Sequence, residues 1–166
     1  MATLYGSIFR VLARTTQSRG APYVGGASVA VDYQANPGSG TSSGQWDLVW
    51  SDTFTIGTSA TQALDFTALT DGPTGASVNM VKVDLVIIQG VAANTATLNV
   101  SPSASNGLLA FLADASDIIK YPAGDVPLVL PCGGYATSGT LKALDLINTS
   151  GAVTWTGTVT VMGRSA

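Results

Sequence analysis

The side chains that could do chemistry in this chain are few and of a restricted kind. Among the 166 residues there is no histidine and no glutamate, and all ten acidic residues are aspartates. The lack of histidine excludes Ser–His and Cys–His nucleophile pairs, most zinc sites and histidine general bases. No Gly-x-Gly-x-x-Gly or P-loop motif is present. We therefore predict that the protein is not an enzyme and has no cofactor and no small-molecule substrate.

Three aspartates close in sequence, Asp114, Asp117 and Asp125, are the best candidates for catalytic carboxylates or a metal site. A pair of aspartates could serve a glycosidase, and several could hold calcium. However, no Asp-x-Asp-x-Asp loop occurs, and aspartates in loops commonly accept hydrogen bonds from turn amides. We therefore expect these residues to be structural and predict no catalytic residue and no metal ligand.

The single cysteine and the tryptophans receive structural interpretations as well. Cys132 has no partner for an intramolecular disulfide, and its Pro-Cys-Gly-Gly context favours a small buried or turn residue over a reactive thiol. Trp46, Trp50 and Trp155 could form a sugar-stacking platform, as in a carbohydrate-binding β-sandwich module. Each alternates with apolar residues on its own face, which favours burial in the core.

Charge is divided unevenly along the chain. Residues 1–20 carry three arginines and no acid, a formal charge of +3, whereas the rest carries ten aspartates against four cations, a charge of −6. Three arginines are too few for a nucleic-acid site, and no apolar run approaches the ~20 residues of a membrane helix. The basic segment is either a solvated tail or an arm that docks on an acidic neighbour, such as another copy of this chain.

We predict that residues 1–26 form this arm, because they mix apolar and basic residues and end in Gly25-Gly26. Residues 27–45 then hold a strand at 28–33 and a Gly/Ser-rich loop. The predicted partner-binding residues of the arm are Leu4, Tyr5, Ile8, Phe9, Arg10, Leu12, Arg14 and Arg19.

Hydrophobic alternation predicts the fold of residues 46–166. Along residues 153–161 apolar residues and threonines alternate strictly, so one face is buried and the other is wet or lies against a partner. Val81, Val83, Leu85 and Ile87 predict another buried face, with Val86 and Ile88 making that strand central in a sheet. Residues 107–112 fit either a strand or a short helical turn. Many short strands joined by Gly/Pro/Asn/Asp turns predict an all-β, antiparallel, jelly-roll-like sandwich with an extended N-terminal arm.

The C-terminal half resembles small β-sandwich virion proteins of tailed bacteriophages, over roughly residues 81–163. The resemblance lies in the runs VDLVIIQGVAANTATLNVSPSASNGLLAFL, YPAGDVPLVLP and TLKALDLINTSGAVTWTGTVTVMG. It implies a capsid decoration (cement) protein that binds and stabilises the phage head through its arm and sheet edges. A tail, fibre or baseplate component is the alternative.

From the resemblance we expect the major capsid protein or other virion subunits as partners, self-association as a homotrimer, and a location on the capsid surface after synthesis in the host cytoplasm. We expect no nucleic-acid or membrane partner.

Overall fold

Strands make up the regular structure of this chain. The computed structural model describes residues 9–18, 26–35, 38–72, 74–112 and 114–166, with the backbone alone up to residue 39. These residues contain no helix, and hence none that could cross a membrane. The strands are β1 (Phe9–Ser18), β2 (Gly26–Ala35), β3 (Gly38–Ser39), β4 (Gln45–Trp46), β5 (Leu48–Ile56), β6 (Thr61–Asp65), β7 (Leu69–Thr70), β8 (Ser77–Val78), β9 (Lys82–Gly90), β10 (Leu98–Pro102), β11 (Ile119–Tyr121), β12 (Leu128–Ala136), β13 (Ala143–Asn148) and β14 (Trp155–Arg164).

The chain divides into two compact units, Met1–Ser39 and Gly40–Ala166. In the first, β1 pairs antiparallel with β2, from Phe9 opposite Ala35 to Ser18 opposite Gly26. The strand predicted at residues 28–33 lies within β2, and β1 is its partner. The predicted arm residues Phe9, Arg10, Leu12 and Arg14 belong to β1, whereas Leu4, Tyr5, Ile8 and Arg19 lie outside the described residues.

The second unit is a sandwich of two four-stranded antiparallel sheets. Sheet I has the strand order β12-β9-β14-β5, and sheet II has the order β11-β10-β13-β6. Along the chain, each connection between successive strands of the sandwich passes from one sheet to the other, except that between β10 and β11. The short strands β7 and β8 pair with each other within the connection from β6 to β9. The predicted all-β antiparallel sandwich is confirmed.

The core lies between the inner faces of the two sheets. Ile88, Trp155 and Val161 of sheet I and Leu98 and Leu146 of sheet II are fully buried there. Apolar alternation explains this arrangement, because successive side chains of a strand point to opposite faces. In β14 the buried and half-buried positions alternate from Trp155 to Gly163, as the sequence predicts.

A β-bulge in β9 corrects one prediction. Met162 and Gly163 are adjacent in β14, yet their partners in β9 are Leu85 and Val83, which leaves Asp84 as an extra residue. Because of this extra residue, the side chains before and after Asp84 do not follow one continuous alternation between the two faces. Val83 therefore lies in the core, whereas Leu85 faces outward with Ile87, although it is buried with only 7% of its surface exposed. The prediction of one continuous stripe on a single face is wrong in its facing.

The carboxylate of Asp84 secures the bulge. Arg164 is 6% exposed and donates hydrogen bonds from Nε and Nη2 to the two Asp84 oxygens, at 3.0 and 3.1 Å. Gly134, at φ +79°, makes room for this pair, because a Cβ there would collide with the guanidinium. A bidentate, largely buried ion pair thus holds β9, β14 and β12 in register.

Residues 107–112 form no strand. Gly107 makes an isolated bridge with Ala143, and Leu108 is fully buried. This segment closes one end of the core without joining a sheet.

Candidate interaction surface

Two of the three aspartates considered for catalysis or metal binding, Asp114 and Asp117, are engaged in a turn. Asp114 Oδ1 accepts hydrogen bonds from the amide and the hydroxyl of Ser116, both at 2.8 Å, and Asp117 Oδ2 accepts the amide of Asp114 at 3.0 Å. The bonds from Ser116 lower the pKa of Asp114 below its ordinary value. Within the described part of the chain, no three His, Cys, Asp or Glu side chains are grouped so as to hold a metal ion. The arrangement is that of a hydrogen-bonded turn.

Cys132 and two of the tryptophans are buried. Cys132 is 7% exposed, and burial, with a smaller contribution from the charge of Asp84, raises the pKa of its thiol to about 12. Such a thiol stays protonated near neutral pH and is a poor nucleophile. Trp50 is 4% exposed and donates its indole N–H to the carbonyl of Thr70, Trp155 is fully buried, and Trp46 is half-buried. These two buried indoles offer no open platform for a sugar.

The register places Arg164 and Lys82, with Asp84 bonded to Arg164, at one end of the outer face of sheet I. The remainder of that face carries no charged residue. We call it the neutral face; it consists of Val49, Ser51, Thr53, Thr55, Leu85, Ile87, Gln89, Val129, Pro131, Thr156, Thr158, Thr160 and Met162. One row across all four strands is wholly apolar, since Val49 is opposite Met162, Met162 opposite Leu85, and Leu85 opposite Pro131. Charge depletion is the main compositional mark of the centre of a protein interface.

Hydroxyl groups fill the rest of the neutral face along β5 and β14. Side-chain oxygens meet across the strands in three successive pairs: Ser51 with Thr160 at 2.9 Å, Thr53 with Thr158 at 3.3 Å, and Thr55 with Thr156 at 3.4 Å. These pairs partly satisfy each other and present a flat surface without long charged side chains. Such a surface costs little desolvation when another molecule covers it.

The outer face of sheet II is different. It presents Asp65, Asp145 and Lys120 at alternate positions of β6, β13 and β11, and we call it the charged face. Lys142 Nζ lies 2.7 Å from Asp65 Oδ2. Partial burial opposes ionisation of Asp65, but hydrogen bonds from Lys142 and Thr67 outweigh it and lower the pKa of this carboxyl. This face has the character of an ordinary solvated surface.

A groove of about 230 Å³ runs between the edge strands β5 and β6. Its polar groups are turned to their own strands: Asp52 Oδ1 accepts the amide of Thr53 at 2.8 Å, and Gln62 Nε2 donates to the carbonyl of Ala63 at 2.9 Å. In an antiparallel pair, alternate residues of an edge strand direct their N–H and C=O groups away from the neighbouring strand. The amide of Thr53 and the carbonyl of Ala63 are such outward-facing groups at the two edges. The groove is smaller than a usual ligand pocket, and its side chains cap the two edges.

The opposite edges of the sandwich are also unsuited to strand addition. In β12, Pro131 has no amide N–H to donate. The register between β12 and β9 then shifts across Gly133 and Gly134. In sheet II, β11 is three residues long and has an exposed lysine, Lys120, at its centre. Short strands, proline, lysine, bulges and inward charges are the devices by which β-proteins prevent edge pairing. The faces, rather than the edges, are therefore the available interaction surfaces of the sandwich.

Sequence reasoning found half of the neutral face. The threonine stripe of β14 was visible as a face that is either wet or covered, whereas Leu85 and Ile87 were assigned to the core because the bulge at Asp84 has no local sequence signature. The chain matches no protein-family model, and neither the curated proteins nor the solved structures give a significant match.

Proposed function

We propose that this protein is a virion structural component, specifically a capsid decoration protein that binds the phage head shell. The observation that carries the proposal is the neutral face, a charge-free sheet surface in a sandwich whose edges are protected against strand addition. A face of this kind is suited to a permanent contact with another protein.

The strand order supports the proposal. Numbered along the chain, the eight sandwich strands follow the orders 6-3-8-1 and 5-4-7-2 in the two sheets. This order supports the jelly-roll-like arrangement that the sequence predicts, an architecture that viral capsid and lectin domains share. The partners under this proposal are the major capsid protein and further copies of this chain, arranged as a homotrimer on the capsid surface, and the protein works without catalysis or a cofactor.

Immunogold labelling of virions purified from the source culture tests the proposal. Many gold particles over the heads are expected. Labelling confined to tails, fibres or baseplates would favour the alternative structural role, and unlabelled virions would refute both. A glycan-array signal that is lost in Trp46→Ala would favour the sugar-binding module instead.

A truncation tests the part played by the N-terminal segment. Deletion of residues 2–20 is expected to leave the sandwich folded, by circular dichroism and thermal unfolding, and to abolish sedimentation of the protein with purified heads. The matched control is the full-length protein with the three arginines 10, 14 and 19 changed to lysine, which keeps the charge. Undiminished binding of the truncated chain would assign attachment to the sandwich alone.

A further inference from the structure

The N-terminal hairpin of β1 and β2 has two unlike faces. Because side chains alternate along a strand, the register places Phe9, Val11, Ala13, Thr15 and Gln17 on one face together with Ala27, Val29, Val31, Tyr33 and Ala35. We call this the apolar hairpin face. The other face contains all the charged residues of the two strands, namely Arg10, Arg14 and Asp32.

Such a hairpin needs a covering surface. A two-stranded hairpin by itself is at most marginally stable in water, and independent stability requires further strands or packing against another element. The neutral face also exposes apolar surface that a partner could bury, since Val49 is 37% exposed and Pro131 is exposed in the single chain. The molecule thus contains two charge-free β-surfaces, each of which would gain by being covered.

We propose that the apolar hairpin face of one copy packs on the neutral face of a second copy of this chain. This inference rests on the proposed function and names the partner and the surface through which copies join. The contact is face to face, like the packing of the two sheets of a sandwich, because the capped edges disfavour strand addition.

The opposite formal charges of the two units favour the hairpin as the element that connects one copy to another. The unit Gly40–Ala166 holds nine aspartates against four cations, a formal charge of −5, whereas Met1–Ser39 holds three arginines against one aspartate, a charge of +2. Two sandwiches that approach directly repel each other, and a basic hairpin between them reduces this repulsion. With the apolar hairpin face turned to the sheet, Arg10 and Arg14 are on the opposite side, where they can meet acidic groups.

Dimensions favour exchange of hairpins in a closed assembly. At about 3.3 Å per residue and 4.8 Å between strands, the hairpin covers roughly 330 Å² in plan, and the neutral face offers roughly 500 Å². One such contact buries about 700 Å² in total, below the roughly 1,200 Å² of a stable interface. When two copies exchange hairpins reciprocally, the interface between them holds two such contacts and buries about 1,400 Å², which is within the stable range. In a larger ring each chain takes part in two contacts of about 700 Å².

Disulfide trapping between full-length chains tests this contact. Two variants, Val31→Cys on the hairpin and Thr158→Cys on the neutral face, are mixed and oxidised. A disulfide between the two variants is expected, and Val31→Cys mixed with Ala63→Cys, which lies on the charged face, is expected to give none. An intrachain disulfide in the double variant Val31→Cys/Thr158→Cys at high dilution would show that the chain covers its own face and would overturn the proposal.

Self-association measured by analytical ultracentrifugation gives an independent test. Val31→Lys places a charge on the apolar hairpin face and is expected to weaken association at least tenfold, whereas Ala30→Lys, on the opposite hairpin face, leaves it within about threefold. Val49→Lys and Ala63→Lys form the corresponding pair on the two sandwich faces. Equal association within either pair would overturn the proposal.

The two proposals fail separately. Hairpin exchange in a protein that labels no virion would reject the function and keep the contact. Labelled heads with no trapped disulfide would keep the function and reject the contact.

Discussion

The two outer faces of the sandwich belong to the same fold but differ in extent and in chemistry. The strands of sheet I have nine or ten residues, and those of sheet II have three to six. The neutral face has apolar and hydroxyl side chains and one amide, Gln89, while the charged face has Asp65, Asp145 and Lys120. Surfaces that stay in water usually mix charges of both signs, and centres of interfaces are depleted of them. This contrast in side-chain chemistry is the reason why we propose sheet I, and not sheet II, as the surface that another molecule covers.

The bulge produces this contrast. In a regular strand without a bulge, Val83, Leu85 and Ile87 would share one face, whereas the bulge at Asp84 leaves Val83 in the core and turns Leu85 and Ile87 to the outer face. The Arg164–Asp84 ion pair lies at this bulge, next to the apolar row of the neutral face.

The largest expected effect comes from breaking that pair. Asp84→Ala leaves the guanidinium of Arg164 buried without its carboxylate, and we expect a loss of about 3–5 kcal/mol in the free energy of unfolding. Urea denaturation of the purified protein measures it. The matched variant on the charged face, Asp145→Ala, is expected to change stability by less than about 0.5 kcal/mol. Similar losses in both variants would show that the ion pair has no special role.

The second effect is a pH dependence located at Cys132 in sheet I. Because burial raises the thiol pKa from 9.0 to about 12, the folded state keeps the proton that the unfolded chain releases. The contribution of Cys132 to stability is therefore complete below pH 9.0 and declines between pH 9.0 and about 12. The difference in unfolding free energy between the protein and Cys132→Ala should become smaller over this range, and a constant difference would contradict the shift.

The third effect concerns the ion pair of the charged face. Lys142→Met removes the partner of Asp65, and since both side chains are partly exposed we expect a loss of no more than about 1 kcal/mol. The pKa of Asp65 is lowered in the folded protein, so this contribution is present above pH 3.8 and is lost as the pH falls through the folded value. Thermal unfolding of both proteins, measured at pH 7 and at successively lower pH, should show a difference between them that is largest at pH 7 and shrinks as the pH falls.

The smallest effect is expected on the hydroxyl pairs of the neutral face. Thr158→Val removes one hydroxyl of a cross-strand pair while it keeps a β-branched shape, so the stability of the isolated chain should change by less than about 1 kcal/mol. Thr61→Val, on the charged face, is the control. A loss above 2 kcal/mol for Thr158→Val alone would mean that the hydroxyl pairs hold sheet I together.

The sequence by itself determined the all-β class and the facing of the strands whose pattern is regular. In β14, Trp155, Val159 and Val161 were placed in the core correctly, since a period of two is a local property of the chain. The sequence also predicted a structural role for Asp114 and for Cys132. A turn depends on neighbouring residues, and the lack of a disulfide partner follows from the composition.

Tertiary structure alone decided the strand order, the bulge and the composition of the neutral face. Leu85 and Ile87 have the same sequence pattern as core residues, and their outward facing arises from pairing with Met162 and Thr160, more than 70 positions away along the chain. The four strands that form the charge-free face are likewise distant in sequence. Which residues share a sheet depends on long-range register, and a one-residue shift reverses every side chain, so no local pattern contains this information.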